Sequence, residues 1–435
     1  MSDSILDTIV DANRQGALRG IYSVCSAHPL VLEAAFDRAV RDDSPLLVEA
    51  TCNQVNQDGG YTGQTPEDFR QAVLAIAQQR GFEIARLVLG GDHLGPSPWQ
   101  HLPADQAMAN AEAMVAAYAQ AGFEKLHLDA SMACADDPVA LDDRVVAERA
   151  ALLCQAAETA AGDRRSRLRY VIGTEVPTPG GAQEHLDTVE VTSTADLRTT
   201  LETHHRIFAA SGLSAAWSRV RAVVVQPGVE FGHTEVVDFV PEAAAELSDA
   251  ITGWPNLVFE AHSTDYQTPA AYRALVAGHF AILKVGPALT FAMREALYAL
   301  DAIAREAPGI ETVDLRTTLE RTMTADPRYW QAYYHGSDAE QQFARHFSLS
   351  DRIRYYWTRS EIAEELERLF QGLETRPIPP TLISQYLPNQ YAAIRAGELA
   401  DAPRSLVRHR IGETLATYAQ ACFPQSASDT RRVES

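Results

Sequence analysis

The chain has 435 residues, 46% hydrophobic and 22% charged, the composition of a soluble globular protein with material for a large core. Its formal net charge of -21 argues against nucleic acid and anionic membrane surfaces as partners, and solubility alone explains most of it. No stretch reaches the ~20 apolar residues needed to span a bilayer. The cysteines, Cys25, Cys52, Cys134, Cys154 and Cys422, contain no C-x-x-C pair, which argues against a zinc-thiolate site. Their odd number, and a beginning (Met1-Ser2-Asp3-Ser4) with no basic or apolar leader, set the expectation of reduced thiols and a cytoplasmic location.

Eight short apolar segments follow in order, each ending in polar or glycine-rich residues. Gly20 to Cys25 ends at Ser26-Ala27-His28. Leu46 to Ala50 ends at Thr51-Cys52-Asn53-Gln54. Ile84 to Leu89 ends at Gly90-Gly91-Asp92-His93-Leu94-Gly95-Pro96, where the glycine pair is expected to break the strand into a loop. Lys125 to Asp129 is the fourth. Leu168 to Ile172 ends at Gly173-Thr174-Glu175, and Ala222 to Val225 at Gln226-Pro227-Gly228-Val229-Glu230. Leu257 to Glu260 ends at Ala261-His262-Ser263-Thr264-Asp265, and Ala281 to Val285 at Gly286-Pro287. Helix-forming stretches lie between them. One opens at Pro66 after the N-cap Thr65, and others span Ala104 to Ala121, Val139 to Ala161 and Ala270 to Val276. A doubly wound sheet would hold the same elements. Eight strand-then-helix units with no dinucleotide fingerprint after the first strand favour a (β/α)8 TIM barrel, an α/β fold, over residues 1–300. Residues 301–425 carry helical, aromatic and arginine-rich patterns with no strand signal, and read as a helical extension packed on the barrel. The polar tail 426–435 is expected to be disordered.

In a barrel the strand ends converge on one mouth. Glu49, Asp92, His93, Asp129, Glu175, Glu230, His262, Asp265 and Lys284 all stand there. None is decisive alone, since a lone acid or histidine is more often a satisfied structural group; their convergence is the argument. Imidazole and carboxylate donors suit a borderline divalent ion such as zinc, manganese, nickel or cobalt. His93 and His262 are the candidate ligands, with Glu230, or His233 near it, as a third. Asp92, beside a ligand, is placed to move a proton, and Glu175 and Asp129 join it as candidate catalytic acids or bases. Glu175 precedes a glycine-rich loop, Gly180-Gly181, that would close on substrate; its alternative role is structural. Lys284 ends the eighth strand, where barrels often bind phosphate, with Ser263 and Thr264 sharing that duty; a Schiff base is the lesser alternative. Asn53 and Gln54 open a run of amides and glycines suited to sugar hydroxyls. Glu49, Asn53, Gln54, Ser263, Asp265 and Lys284 are the candidate substrate contacts. Arg352, Arg354, Tyr355 and Tyr356 leave open a phosphate lid, a subunit contact or packing. Neither G-x-x-x-x-G-K-[ST] nor G-x-S-x-G occurs.

Four stretches carry a resemblance: Ser26 to Val31, Glu49 to Gly63, Gly90 to Pro96, and Gln385 to Pro388. Together they resemble the GatZ/KbaZ family, the non-catalytic subunits of class II D-tagatose-1,6-bisphosphate aldolase, over nearly the whole chain. Some members of that family bear the label tagatose-6-phosphate kinase, and others act as D-tagatose 6-phosphate 4-epimerases. The chain is also distantly similar to class II aldolases, whose strand-three aspartate and metal histidine match Asp92-His93. Their strand-five glutamate matches Glu175, and their strand-seven metal histidine matches His262; the strand-six histidine is replaced by Glu230. The resemblance implies a metal-dependent epimerase interconverting D-tagatose 6-phosphate and D-fructose 6-phosphate by retro-aldol chemistry. A stabilising subunit of a separate aldolase is the alternative, and a sugar-phosphate kinase the third. A sugar phosphate is the expected small-molecule partner, and a homo-oligomer the expected assembly.

Overall fold

Strands buried on both faces need near-continuous apolar sequence, and the segments named above meet that requirement. In the computed structural model, which describes residues 4–174, 189–310 and 313–424, they form one closed, all-parallel, eight-stranded barrel. Its strands are β1 (Ile21–Cys25), β2 (Leu46–Thr51), β3 (Leu87–Leu94), β4 (Lys125–Leu128), β5 (Arg169–Ile172) and β6 (Val220–Val225). An antiparallel hairpin then intervenes, β7 (Glu230–Phe231) with β8 (Val236–Val237), before the last two barrel strands, β9 (Val258–Ala261) and β10 (Phe280–Val285). β10 closes on β1 with Ser23 opposite Lys284. The fold is the (β/α)8 barrel expected, with helices around it. Local chemistry sets the helix starts: Thr65 and Asp68 make a reciprocal capping box for Pro66–Gln79, and Thr268 caps Pro269–Ala277.

Period-two alternation stacks the barrel interior in layers. The lowest layer is apolar, with Ile21, Leu47, Val88, Val171, Val258 and Ile282, and it is sealed from below by Leu6, Ile9 and Val10 of the helix Ile5–Arg14. Asp7 pins that helix by ion pairs to Arg169 and Arg221 at the start of β5 and β6. One layer further up, the i+2 neighbours of Ile21, Leu47, Val258 and Ile282 are Ser23, Glu49, Glu260 and Lys284.

One expectation changes at β3. Gly90-Gly91 does not break the strand; β3 runs on to Leu94, with a register shift between Gly91 and Leu94. Close approach is the reason for the glycines. A Cβ on Gly90 would meet Glu49 Cγ at 2.8 Å, and one on Gly95 would meet the Asp129 carbonyl oxygen at 1.5 Å. The irregularity falls on His93, which adopts φ +50°.

Residues 313–424 form helices and no strand among the described residues. The helix Pro287–Glu306 runs across residue 300. The last helix, Pro403–Cys422, packs on Pro29–Arg41, Pro269–Ala277 and Pro287–Glu306. Tyr418 lies against Tyr22 and Tyr272, and Gly20 N–H donates to the Cys422 carbonyl. Barrel and extension thus share one apolar core. The tail 426–435 lies outside the described residues.

Gly95→Ala is expected to destabilise the fold by about 1–3 kcal/mol or more through overpacking. Gly253→Ala, where an added Cβ meets nothing within 4 Å, serves as the control. Thermal unfolding midpoints of the two variants check this; equal midpoints would refute the close-approach reading.

Candidate functional site

The second layer of the interior is ionic. Lys125 Nζ lies 2.5 Å from Glu49 Oε1 and 2.7 Å from Glu260 Oε2. Lys284 Nζ pairs with Glu49, lies 3.0 Å from Asp92 Oδ1 and 3.7 Å from Glu260 Oε1. The two lysines and the carboxylates of β2 and β9 close a ring across the barrel axis. Buried charges survive only when paired this way. Burial works against each charge, yet the lysines hold Glu260 well below the usual carboxylate range, and the surrounding carboxylates hold Lys284 well above its ordinary value.

The third layer carries the donors. Asp92 Oδ1 lies 3.0 Å from His127 Nδ1, and His262 Nε2 lies 3.0 Å from Glu260 Oε1. His93 Nδ1 lies 2.8 Å from Asp129 Oδ2, whose other oxygen accepts from the Ser131 hydroxyl at 2.6 Å. The three imidazoles stand with ring centroids 4.8 to 5.3 Å apart. Ligand atoms of Asp92, His127, Glu260 and His262 all lie within 4.8 Å of one another. With His127 Nδ1–H donating to Asp92, its buried Nε2 has no partner, an arrangement that a cation would complete. Four carboxylates (Glu49, Asp92, Asp129, Glu260) face two ammonium groups (Lys125, Lys284), so even with His93 protonated the carboxylates outnumber the cations, an excess of negative charge that a bound cation offsets. Nitrogen and oxygen donors of this kind fit a borderline divalent metal.

Electrostatics sorts these groups. Burial pushes His262 down to about 3, so it stays neutral and able to bind a metal. Burial opposes the charge on Asp92, but His93, Lys284 and His127 hold it ionised well below the usual carboxylate range. His93 is raised, the Asp92 and Asp129 carboxylates outweighing burial.

Above the cluster is a pocket. Asp92, His93, His262 and Lys284 line it together with Asn53, Gln54, Tyr61, Ser263 and Asp265. Arg354 and Tyr355 of the extension complete it. Of the roles left open for the C-terminal arginines and tyrosines, these two therefore face the barrel mouth. The ring of Tyr355 stacks on Tyr329 and meets Tyr61 edge-on at 4.8 Å.

Several expected site residues are placed differently from their assigned roles. Glu49, expected to touch substrate, is fully buried beneath the pocket in the ion-pair ring. Lys284, expected to hold phosphate or form a Schiff base, is neutralised by three carboxylates, which also keep it protonated and unreactive. Asp129 lies behind His93, orienting its ring. Asp265 lends Oδ1 to the Gly286 and Ala288 N–H groups at 3.0 and 2.8 Å, capping the helix Pro287–Glu306. The Gln54 side-chain amide is spent on the Thr51 N–H and the Cys25 carbonyl. Glu230 accepts from the Ser263 hydroxyl at 3.1 Å and is not among the converging donors of the described residues. His233 sits between Ser348 and the Tyr333 carbonyl, 3.0 Å from each, tying the barrel to the extension. Glu175 and Gly180-Gly181 lie outside the described residues. Lys125, His127 and Glu260 were not among the expected residues; counting back by two from Asp129 and from His262 reaches all three.

Residues 6–423 match the family model described as D-tagatose-1,6-bisphosphate aldolase subunit GatZ/KbaZ-like. The chain belongs to the GatZ/KbaZ-like family. A solved structure described as a probable tagatose 6 phosphate kinase from Sinorhizobium meliloti 1021 is 51% identical to this GatZ/KbaZ-like chain, with a TM-score of 0.86. The match covers 93% of this chain and 100% of that one. The YdjI aldolase from Escherichia coli K12 is 13% identical, with a TM-score of 0.43, over 83% of this chain and 99% of its own. The fructose-bisphosphate aldolase of Campylobacter jejuni is also 13% identical with a TM-score of 0.43, over 85% of this chain and 92% of its own. Likeness that slight carries no argument about function.

Two outcomes follow from the charge layout. Lys125→Met leaves Glu49 and Glu260 short of a partner in the barrel centre, and is expected to cost about 3–5 kcal/mol in denaturant unfolding. A cost under about 1 kcal/mol would mean that Lys284 alone neutralises both. Glu230 is raised by burial from 4.5 to about 7. The folded state therefore binds more protons than the unfolded state between those values, and stability falls as pH rises through that window. Glu230→Gln is expected to flatten that slope in metal-free protein; thermal unfolding at pH 4.5 and pH 7.5 measures it, and an unchanged slope would count against it.

Proposed function

We propose that this chain is a divalent-metal-dependent 4-epimerase of ketohexose 6-phosphates, interconverting D-tagatose 6-phosphate and D-fructose 6-phosphate. The convergence of imidazole and carboxylate donors beside a polar pocket carries the reading. The family's tagatose-bisphosphate description and the 51% identical relative's tagatose 6-phosphate title support the substrate class. His127 and His262 belong to the converging donors and would hold the ion, Glu260 orienting the His262 ring; His93, outside that group but with its ring held by Asp129 at 4.8 Å from that of His262, would complete the set. A bound divalent ion supplies Lewis-acid polarisation of the C2 carbonyl and stabilises the negative charge left when the C3–C4 bond breaks.

The remaining work falls to the chain. Asp92, ionised and facing the pocket, takes the proton of the C4 hydroxyl as the C3–C4 bond breaks. The hydroxyl carbon becomes an aldehyde, and the bonding pair stays with C3. The aldehyde fragment turns its other face to C3, the bond re-forms, and Asp92 returns the proton to the C4 oxygen. Asn53 and Tyr61 on the pocket wall keep the fragment from escaping while it turns. Glu175, before the glycine-rich loop, is the candidate second acid or base.

A second reading has an observation of its own, the family's description as an aldolase subunit: this chain would stabilise a separate class II aldolase. Co-purification with an aldolase chain, together with inertness alone, would favour it. The kinase named for the relative finds no phosphate-binding glycine loop in this sequence.

Metal-loaded protein alone is expected to convert D-tagatose 6-phosphate to D-fructose 6-phosphate, with chelator or His93→Ala abolishing the conversion. No conversion with zinc, manganese, nickel or cobalt would overturn the proposal. Metal content after dialysis is expected to fall at least tenfold in His127→Ala and to stay near wild type in Glu230→Gln. The reverse pattern would return Glu230 to the ligand set.

A further inference from the structure

An anionic sugar needs a cation in the pocket, and the barrel's own candidates are occupied. Lys284 is enclosed by Glu49, Asp92 and Glu260. The backbone N–H groups at the start of the helix Pro287–Glu306, the usual anion cradle after a last barrel strand, already donate to Asp265. That carboxylate also faces the pocket and would repel a phosphate placed beside it.

Arg354 is different. It reaches the pocket from the extension, and its guanidinium is steadied from behind by neutral acceptors. These are the Ser350 carbonyl, the Asp351 carbonyl at 3.2 Å and the Tyr355 hydroxyl at 3.1 Å. The nearby Asp351 carboxylate is taken by the Thr290 hydroxyl at 2.6 Å and by Arg294 at 3.4 Å. Among the described residues no carboxylate pairs with Arg354. Of the lysine and the arginine lining the pocket, Lys284 and Arg354, it is the one without a contact ion pair, Asp265 and Asp351 acting on it only at longer range. A guanidinium fixed in one orientation offers the fork that matches a phosphate.

We infer that Arg354 anchors the substrate's phosphate, so that the preference for phosphorylated over free ketohexose is set by the C-terminal extension rather than by the barrel. This rests on the reading of the pocket as a sugar-phosphate site, but not on the reaction performed there. It places the reacting carbons by Asp92, His93 and His262 and the phosphate by Arg354.

The first probe is inorganic phosphate, titrated calorimetrically into full-length wild type, Arg354→Met and Arg354→Lys, each checked for an unchanged unfolding midpoint. Arg354→Met is expected to weaken phosphate binding at least tenfold, and Arg354→Lys, which keeps the charge without the fork, about threefold. In turnover, Arg354→Met is expected to raise KM for the ketohexose 6-phosphate at least tenfold and to lower the ratio of kcat/KM for the phosphorylated over the unphosphorylated ketohexose at least tenfold. Equal phosphate affinity in wild type and folded Arg354→Met, or no phosphate binding by wild type, overturns the inference. If Arg354→Met fails to fold, an unchanged affinity in Arg354→Lys does so. Arg354-dependent phosphate binding without epimerisation leaves this assignment standing while the proposed reaction fails.

Discussion

Two lysines buried in the middle of a barrel govern this molecule. Lys125 and Lys284 are out of water, and each ammonium is tolerable only because Glu49 and Glu260 flank it, with Asp92 added at Lys284. The same pairs fix the position of the chemistry above. Glu260 cannot turn away from Lys125, so His262 has a fixed partner; Asp92 cannot turn away from Lys284, so its charge and direction are set. The ring takes more from desolvation than hydrophobic residues of similar volume would. Its return is an ionised acid and oriented imidazoles held without dependence on a mobile loop.

The layer order follows from a single rule of strand geometry. Leu47 and Glu49, Val258, Glu260 and His262, and Ile282 and Lys284 each step up the same interior wall by two residues. Apolar, ionic and metal-competent layers are therefore written into the strands in that order, and the N-terminal helix closes the apolar end. Polarity rises toward the carboxyl ends of the strands, the face where barrels place their sites.

Much of this was legible in the sequence. Parallel strands advertise themselves as short apolar runs, so the barrel and the mouth residues Asp92, His93 and His262 could be read directly. The ends of strands drew attention away from their interiors, which hid Lys125, His127 and Glu260 although alternation reaches them. What no local pattern carries is which charges meet: Glu49 looked like a pocket group, and Lys284 like a free cation, because their partners come from strands far away in sequence. Arg354 could be named but not placed, because the return of the extension to the mouth is a tertiary event. The glycines before Asp92 resembled a turn, since a glycine needed for close packing and one needed for a turn look alike in sequence.

The hydrogen bond from Gly20 to Cys422 joins the edge of the first strand to the last helix. On the ribosome, β10 emerges long before that helix does. With roughly 140 residues still to be made after β10, at about 5–20 residues per second, the outer face of β1 and β10 waits on the order of 10 s for its cover. Tyr22 and Tyr272 lack their partner Tyr418 over that interval. The nascent barrel thus presents a sticky, nearly finished surface, and a holdase that shields it during translation would raise the yield more than one acting after release.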